Sequence, residues 1–230
     1  MPTSHIVKSY DQQITLLTRK ILEMGGLVEQ QIAGAIDALV NRSIELAERV
    51  VEQDDQIDRM EEEIDQYAIR LLATRQPMAI DLRLIVMAMK ISNDLERIGD
   101  YATNIAKRSM RLAKEPPVKP LYTIPRMAQI NQAMVKEILD AYVERDADKA
   151  VAVWHRDDEV DDMFTSMFRE LLTYMMEDPR NITPCIDLMF VAKNLERIGD
   201  HTTNIAEKIH YMIHGQRINR MPGIEPGGER

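Results

Sequence analysis

The chain has a single cysteine, Cys185, and aromatic residues make up only 5% of its 230 residues. One cysteine cannot form an internal disulfide or a cysteine-rich zinc site, so we expect a reducing compartment, with the cytoplasm as the default. So few aromatic residues are not typical of a β-sandwich. The abundance of aliphatic residues and methionine, together with 29% charged residues, favours long amphipathic helices instead.

Signals for membrane insertion, nucleic-acid binding and catalysis are also missing. The sequence has neither a signal-peptide core nor a run of roughly 18 apolar residues, so we expect membrane contact only indirectly, through partners. Acidic residues outnumber basic residues by 38 to 29, which disfavours electrostatic attraction to nucleic acid. The sequence contains no phosphate-cradling glycine loop, no nucleophile elbow and no Cys/His arrangement that would announce an enzyme.

Apolar residues recur at steps of three and four along six segments, which is the spacing of amphipathic helices. The pattern breaks near residues 41–43, at Pro77 and at residues 114–125, where four prolines fall within twelve residues. We therefore predict an all-α protein of six long helices in two tandem three-helix bundles. The predicted boundaries are residues 1–114 for the first bundle, 115–125 for a proline-rich linker, 126–214 for the second bundle and 215–230 for a disordered tail.

The hexapeptide LERIGD occurs twice, at residues 95–100 and 195–200. The longer segments that begin there, 95–106 and 195–206, agree at ten of twelve positions. Upstream, the sequence DDQIDRM in the first half corresponds to DDEVDDM in the second. This internal duplication predicts two related bundles, each with its own core.

Each repeat carries acidic residues four positions apart on two helices that should be neighbours. The eight positions are Asp54, Asp58, Glu96, Asp100, Asp157, Asp161, Glu196 and Asp200. Burying such acids without compensation is costly. The pattern leaves three forms of compensation open: a multivalent cation such as Mg²⁺, Ca²⁺, Mn²⁺, iron or Zn²⁺, ion pairs with Arg97 and Arg197, or exposure to water.

Three single residues within the helical segments give further expectations. Gly25 and Gly26 interrupt the first helical pattern, which predicts a close helix crossing or a bend. His201 follows the second LERIGD but has Tyr101 as its counterpart, so a ligand role would not be shared by the two repeats. We therefore expect His201 to lie on the surface.

The motifs MGGLVEQQ, RQPMAIDLR, LERIGD twice and LLTYMMEDPR, in this order, resemble the PhoU family of bacterial phosphate-uptake regulators. The resemblance covers nearly the whole chain, leaving out the proline-rich linker and the C-terminal tail. It implies two symmetry-related three-helix bundles whose acid-x-x-x-acid motifs bind multinuclear metal clusters. Carried over to this sequence, those motifs are the eight acidic positions named above, with Fe, Zn, Mn or Mg as the expected metals.

The same resemblance implies a negative regulator of phosphate uptake and of the phosphate-starvation response, without enzymatic activity. Its expected partners are the ATPase of the high-affinity phosphate ABC transporter, a sensor histidine kinase and a second copy of the chain. We expect a cytoplasmic protein that reaches the inner membrane through the transporter. The alternatives are a carboxylate-bridged metal enzyme or store, and a helical scaffold without metal.

Overall fold

The computed structural model describes residues 3–118 and 122–218, with the backbone alone for residues 3–9. Within these ranges the regular structure consists of six long helices and one 3₁₀ turn, with no strand. The helices are α1 (Thr3–Val40), α2 (Ile44–Arg75), α3 (Ile80–Leu112), α4 (Thr123–Glu144), α5 (Ala147–Glu177) and α6 (Ile182–His214). The predicted all-α fold is confirmed. No helix in the described ranges combines the length and apolarity needed to cross a bilayer.

The breaks within the first half fall where the turn signals predicted them. Ser43 caps α2, because its side chain accepts a hydrogen bond from the Leu46 N–H at 3.3 Å. At the other end of α2, Gln76 takes the left-handed conformation, with φ 46°. Pro77 follows directly and cannot continue the helix. The α1–α2 and α2–α3 connections are therefore short, which keeps the three helices side by side.

The connection between the halves is shorter than its proline content suggested. Because α4 begins at Thr123, residues 123–125, which we assigned to the linker, belong to the helix. Pro125 lies in the first turn, where a missing N–H leaves no intrahelical bond unmade. Of the predicted tail, residues 219–230 lie outside the described ranges.

The two halves meet through α3 packed on α6 and α1 packed on α4. The helices α3 and α6 run antiparallel, since Asp94 contacts Lys208 while Arg108 contacts Asp187. Buried apolar residues of both halves form one continuous cluster. The expectation of a separate core in each half is therefore wrong. The cores merge because α3 and α6 each bury side chains against their own bundle and against each other.

Gly25 lies where α1 crosses α4. A Cβ atom at this position would overlap the side chain of Leu139 on α4, which is only 5% exposed. At Gly26, by contrast, a Cβ atom would meet nothing within 4 Å. The close helix crossing predicted from this glycine pair is confirmed for Gly25, and it joins the two halves.

The glycine pair gives a stability test with an internal control. We expect Gly26→Ala to raise the free energy of unfolding by about 1 kcal/mol, because alanine favours the helix and the site is open. We expect Gly25→Ala to lie about 1–2 kcal/mol below Gly26→Ala, because the new methyl group must displace buried Leu139. Urea denaturation followed by circular dichroism measures both values. Equal effects of the two substitutions would contradict the close crossing.

Candidate carboxylate site

The repeated LERIGD segments lie in the middle of α3 and α6, the two central helices. Leu95 and Ile98 are fully buried and hold α3 in the core. Glu96 and Asp100 lie beside this buried stripe and are partly exposed. Gly99 allows α2 to approach, because a Cβ atom there would be 3.1 Å from Cδ1 of Ile57. The helical spacing thus places the acid pair along the line where α2 meets α3.

In the first half, the acids of α2 and α3 influence each other's protonation. Burial raises the pKa of Glu96, and Asp100 and Asp58 raise that pKa further, whereas Arg97 lowers it. The pKa of Asp58 is raised by burial and then by Asp54 and Asp100. Such coupling between α2 and α3 requires short distances. The four predicted positions of the first half therefore share one small region.

In the second half, the acids are more strongly coupled. Burial, followed by the charges of Asp161, Asp200 and Glu196, raises the pKa of Asp157 from 3.8 to about 7. The pKa of Asp161 is also raised, by burial and then by Glu196 and Asp200. The structure thus brings together the four predicted acids of the second half, on α5 and α6. A proton on Asp157 relieves part of this repulsion near neutral pH.

Several acceptor atoms in the two clusters have no donor. In and beside the two clusters, five buried oxygens receive no hydrogen bond from the described residues: Oε1 of Gln31, Oε2 of Glu96, Oδ1 of Asn131, Oδ1 of Asp157 and Oε2 of Glu196. A buried acceptor without a partner costs about 1–3 kcal/mol. Oxygen atoms of carboxylates and amides are the ligands that hard cations prefer. The donor set therefore fits a multivalent cation in chemical terms.

Two of these acceptors belong to amides that the sequence analysis missed. Gln31 on α1 donates from Nε2 to Oδ1 of Asp54 at 3.1 Å and to Oγ1 of Thr103 at 2.7 Å. Asn131 on α4 donates from Nδ2 to the carbonyl of Leu195 at 2.9 Å. The two amides are 100 residues apart, the same offset as the two LERIGD copies. That shared offset is the signal that would have found them.

Arginine side chains compensate part of the acidic charge. Arg97 lies 3.1 Å from Asp100 and 3.4 Å from Oε2 of Glu96, measured from Nη1 and Nε respectively. The second of these contacts is an ion pair by distance but lacks the geometry of a hydrogen bond, so Oε2 of Glu96 has an opposite charge nearby and no hydrogen-bond donor. Arg197 pairs in the same way with Asp200, at 3.1 Å. Both arginines are about half exposed, so these pairs are weak.

The acids are close together without forming a finished coordination site. Among residues 3–118 and 122–218, no three His, Cys, Asp or Glu side chains converge tightly enough to hold a metal ion as they stand. Asp58 and Asp161 are exposed, so their side chains are free to change rotamer. Binding a cation would therefore require the carboxylates to turn toward one another.

His201 lies between the halves and not on the surface, contrary to expectation. Its side chain is 20% exposed, and its Nδ1 is 3.0 Å from Oδ1 of Asp94 on α3. The other oxygen of Asp94 accepts a hydrogen bond from Lys208. The ring of Tyr101 lies beside His201, with ring centroids 5.5 Å apart. A buried acid with two basic partners therefore links α3 to α6.

Comparison with known proteins supports the duplicated architecture. The family model described as PhoU domain matches residues 21–109 and 124–209. A phosphate-specific transport system accessory protein PhoU homolog from Caulobacter vibrioides is 50% identical over 217 residues, covering 94% of both chains. Its counterpart from Rhizobium meliloti is 48% identical over 231 residues, covering 100% of this chain and 94% of the relative.

Two crystal structures have the same fold. PhoU from Pseudomonas aeruginosa superimposes with a TM-score of 0.87 and 43% identity, covering 90% of this chain and 100% of that one. The phosphate transport system regulatory protein PhoU from Streptococcus pneumoniae has a TM-score of 0.85 and 26% identity, covering 91% and 99% of the two chains. Both structures match the arrangement of six helices in two similar halves.

Proposed function

Because this chain belongs to the PhoU family, we propose that it is an accessory protein of a phosphate transport system. The names of its relatives and the match of both repeats support this role. In finer terms, we propose a cytoplasmic negative regulator without enzymatic activity that acts as a homodimer. It couples the ATPase of the high-affinity phosphate transporter to a sensor histidine kinase and so restrains the phosphate-starvation response.

One observation supports a role for metal: in both halves, at equivalent places, a cluster of acids occurs whose members raise one another's pKa. A multivalent cation, such as Fe, Zn, Mn or Mg, would neutralise the repulsion within each cluster. Asp54, Asp58, Glu96 and Asp100 would hold it in the first half, and Asp157, Asp161, Glu196 and Asp200 in the second. By turning these side chains inward, the cation would shape the α2–α3 and α5–α6 surfaces that face a partner.

A second candidate is a helical scaffold that signals without metal. The ion pairs of Arg97 and Arg197 favour it, because they already compensate the acids of α3 and α6. The absence of a converged ligand set among the described residues is consistent with it as well. The two candidates share the regulatory role and differ only in what the carboxylates do.

Deletion of the gene tests the regulatory role. We expect a phosphate-starvation reporter in phosphate-rich medium to rise to its starved level and the wild-type gene to restore repression. A gene carrying Glu96→Gln, Asp100→Asn, Glu196→Gln and Asp200→Asn should fail to restore it if metal is required, whereas Arg97→Ala with Arg197→Ala serves as the control. Repression that persists after deletion would refute the regulator, and full repression by the fourfold variant would favour the metal-free scaffold.

A further inference from the structure

A second polar site lies at one end of the α3–α6 contact. It is an open cavity of about 430 Å³, lined by Asn104, Lys107, Arg108, Arg111, Phe190 and Asn194. The four α3 residues follow one another at spacings of three, one and three, which places them on one face of the helix. This face is turned toward α6. Glu96 and Asp100 share this side of α3 but lie nearer the start of the helix, and no acid of the two clusters lines the cavity. The cavity is therefore distinct from the carboxylate clusters.

The cavity is strongly basic for a chain whose net charge is −9. Arg108 and Arg111 donate to the same oxygen of Asp187, at 2.6 and 2.7 Å. Asp187 is only 7% exposed and is the one acid paired with this cluster among the described residues. Lys107 has no ion-pair partner there. Three cations against one carboxylate leave an excess of two positive charges beside the opening.

The geometry leaves donors available to a ligand. A guanidinium group has five N–H donors, and the contacts with Asp187 use one from each arginine. The guanidinium carbon of Arg108 lies 3.9 Å from the ring centroid of Phe190, so the ring orients this group. Asn194 donates one N–H to the Phe190 carbonyl at 2.7 Å and retains a second.

The duplication supplies an internal comparison. At the opposite end of the α3–α6 contact, the equivalent positions hold Glu207 in place of Lys107 and Tyr211 in place of Arg111. Asp94 stands in place of Asn194, and its carboxylate is already engaged by basic side chains. The fold therefore does not require a cationic cluster at this contact. The opposite end also has Lys208 in place of Arg108 and Lys90 in place of Phe190, but Asp94 and Glu207 balance them, so among the described residues the excess of cations lies at one end.

We propose that this cavity binds an oxyanion of the phosphate type, either inorganic phosphate or the phosphoryl group of a small molecule. Guanidinium groups match tetrahedral oxyanions through paired N–H donors, and Lys107 adds a point charge. Because α3 ends at Leu112, the carbonyl end of its dipole disfavours an anion, and the side chains must supply the attraction. The proposal does not rest on the regulatory role or on metal binding.

Isothermal titration calorimetry on the full chain tests the site, with inorganic phosphate and AMP as separate probes. The protein is first treated with a chelator, because a metal in the carboxylate clusters could itself bind phosphate. We expect saturable binding of at least one probe, and the tighter one identifies the form recognised. Lys107→Ala with Arg111→Ala should weaken binding by about tenfold or more, since two charge-assisted contacts are lost.

Two further variants make the result decisive. Arg70→Ala with Lys136→Ala removes the same charge from exposed positions elsewhere and should change the affinity by less than about twofold. Asn194→Asp introduces the acid found at the opposite end and should abolish binding, while circular dichroism confirms that the helices remain. The proposal is overturned if neither probe binds below about 10 mM. Equal weakening by the two double variants would also overturn it, since binding would then follow net charge alone.

Discussion

Replacing Asp94 by alanine is expected to lower the free energy of unfolding by about 3 kcal/mol, because it leaves two partly buried basic side chains without their counter-charge. Asp94 is 4% exposed, and it joins α3 to His201 and Lys208 of α6. Lys208 can turn partly toward water, which keeps the loss below that of a fully buried pair. Urea denaturation at neutral pH measures the effect.

The duplication also provides the control for this substitution. Asn194 occupies the position equivalent to Asp94 but is more exposed and pairs only with the carbonyl of Phe190 within the described residues. Asn194→Ala should therefore cost less than about 1 kcal/mol. If Asp94→Ala were as mild as Asn194→Ala, the link between the halves would be carried by apolar packing alone.

Multivalent cations are expected to reverse the effect of Asp157→Asn on stability. Without metal, folding raises the pKa of Asp157 to about 7 from 3.8, so the folded chain binds the proton more tightly than the unfolded chain. This tighter proton binding stabilises the folded state. The stabilisation is complete below about pH 4 and is lost as the pH rises through about 7. At pH 8 and in chelator, Asp157→Asn should therefore stabilise the protein. We expect about 1–2 kcal/mol, after allowing for the access of solvent to this carboxylate.

With metal bound, the wild-type chain should become more stable than the Asp157→Asn variant. A cation present at 100 times its dissociation constant stabilises the wild-type chain by about 2.7 kcal/mol. The variant, which lacks one anionic ligand, should bind the cation about 100-fold more weakly and gain much less. Thermal denaturation at pH 8, with chelator or with Mn²⁺ or Zn²⁺, shows which of the two proteins is more stable under each condition.

A neighbouring acid serves as the control for this experiment. Asp158 is exposed, and Asp158→Asn removes the same charge from the same turn of α5. We expect the cation to stabilise the Asp158→Asn variant as much as it stabilises the wild-type chain. If Asp157→Asn stayed more stable than the wild type at every metal concentration, the cluster would not be a cation site.

Much of the fold could be predicted because each helix buries one continuous stripe. The α3 residues predicted to face the core, from Leu84 to Leu112, are buried, and the breaks at Ser43 and Pro77 lie between helices. The acid pairs were found from their spacing alone, since residues four apart share a helical face. Local periodicity was sufficient for both features.

The sequence pattern could not show which helices pack against each other. A buried stripe on α3 does not say whether α1, α2 or α6 covers it, so the merging of the two cores was missed. The contact between Asp94 and His201 joins residues 107 positions apart, and no periodicity marks it. Gln31 and Asn131 also work through partners on other helices, so the helical pattern does not mark them, and their shared offset of 100 residues is the one signal in the sequence.

The contact between α3 and α6 also bears on how such a chain could have arisen. The bases that meet there, Arg108 and Lys208, are at equivalent positions in the two halves, whereas the acids are not: Asn194 is the counterpart of Asp94, and Met87 is the counterpart of Asp187. In a twofold homodimer both ends of the contact would be identical, because residue i meets j on one side and j meets i on the other. The ion pairs of Asp94 with Lys208 and of Asp187 with Arg108 therefore belong to the fused chain, in which each end of the contact can change without the other.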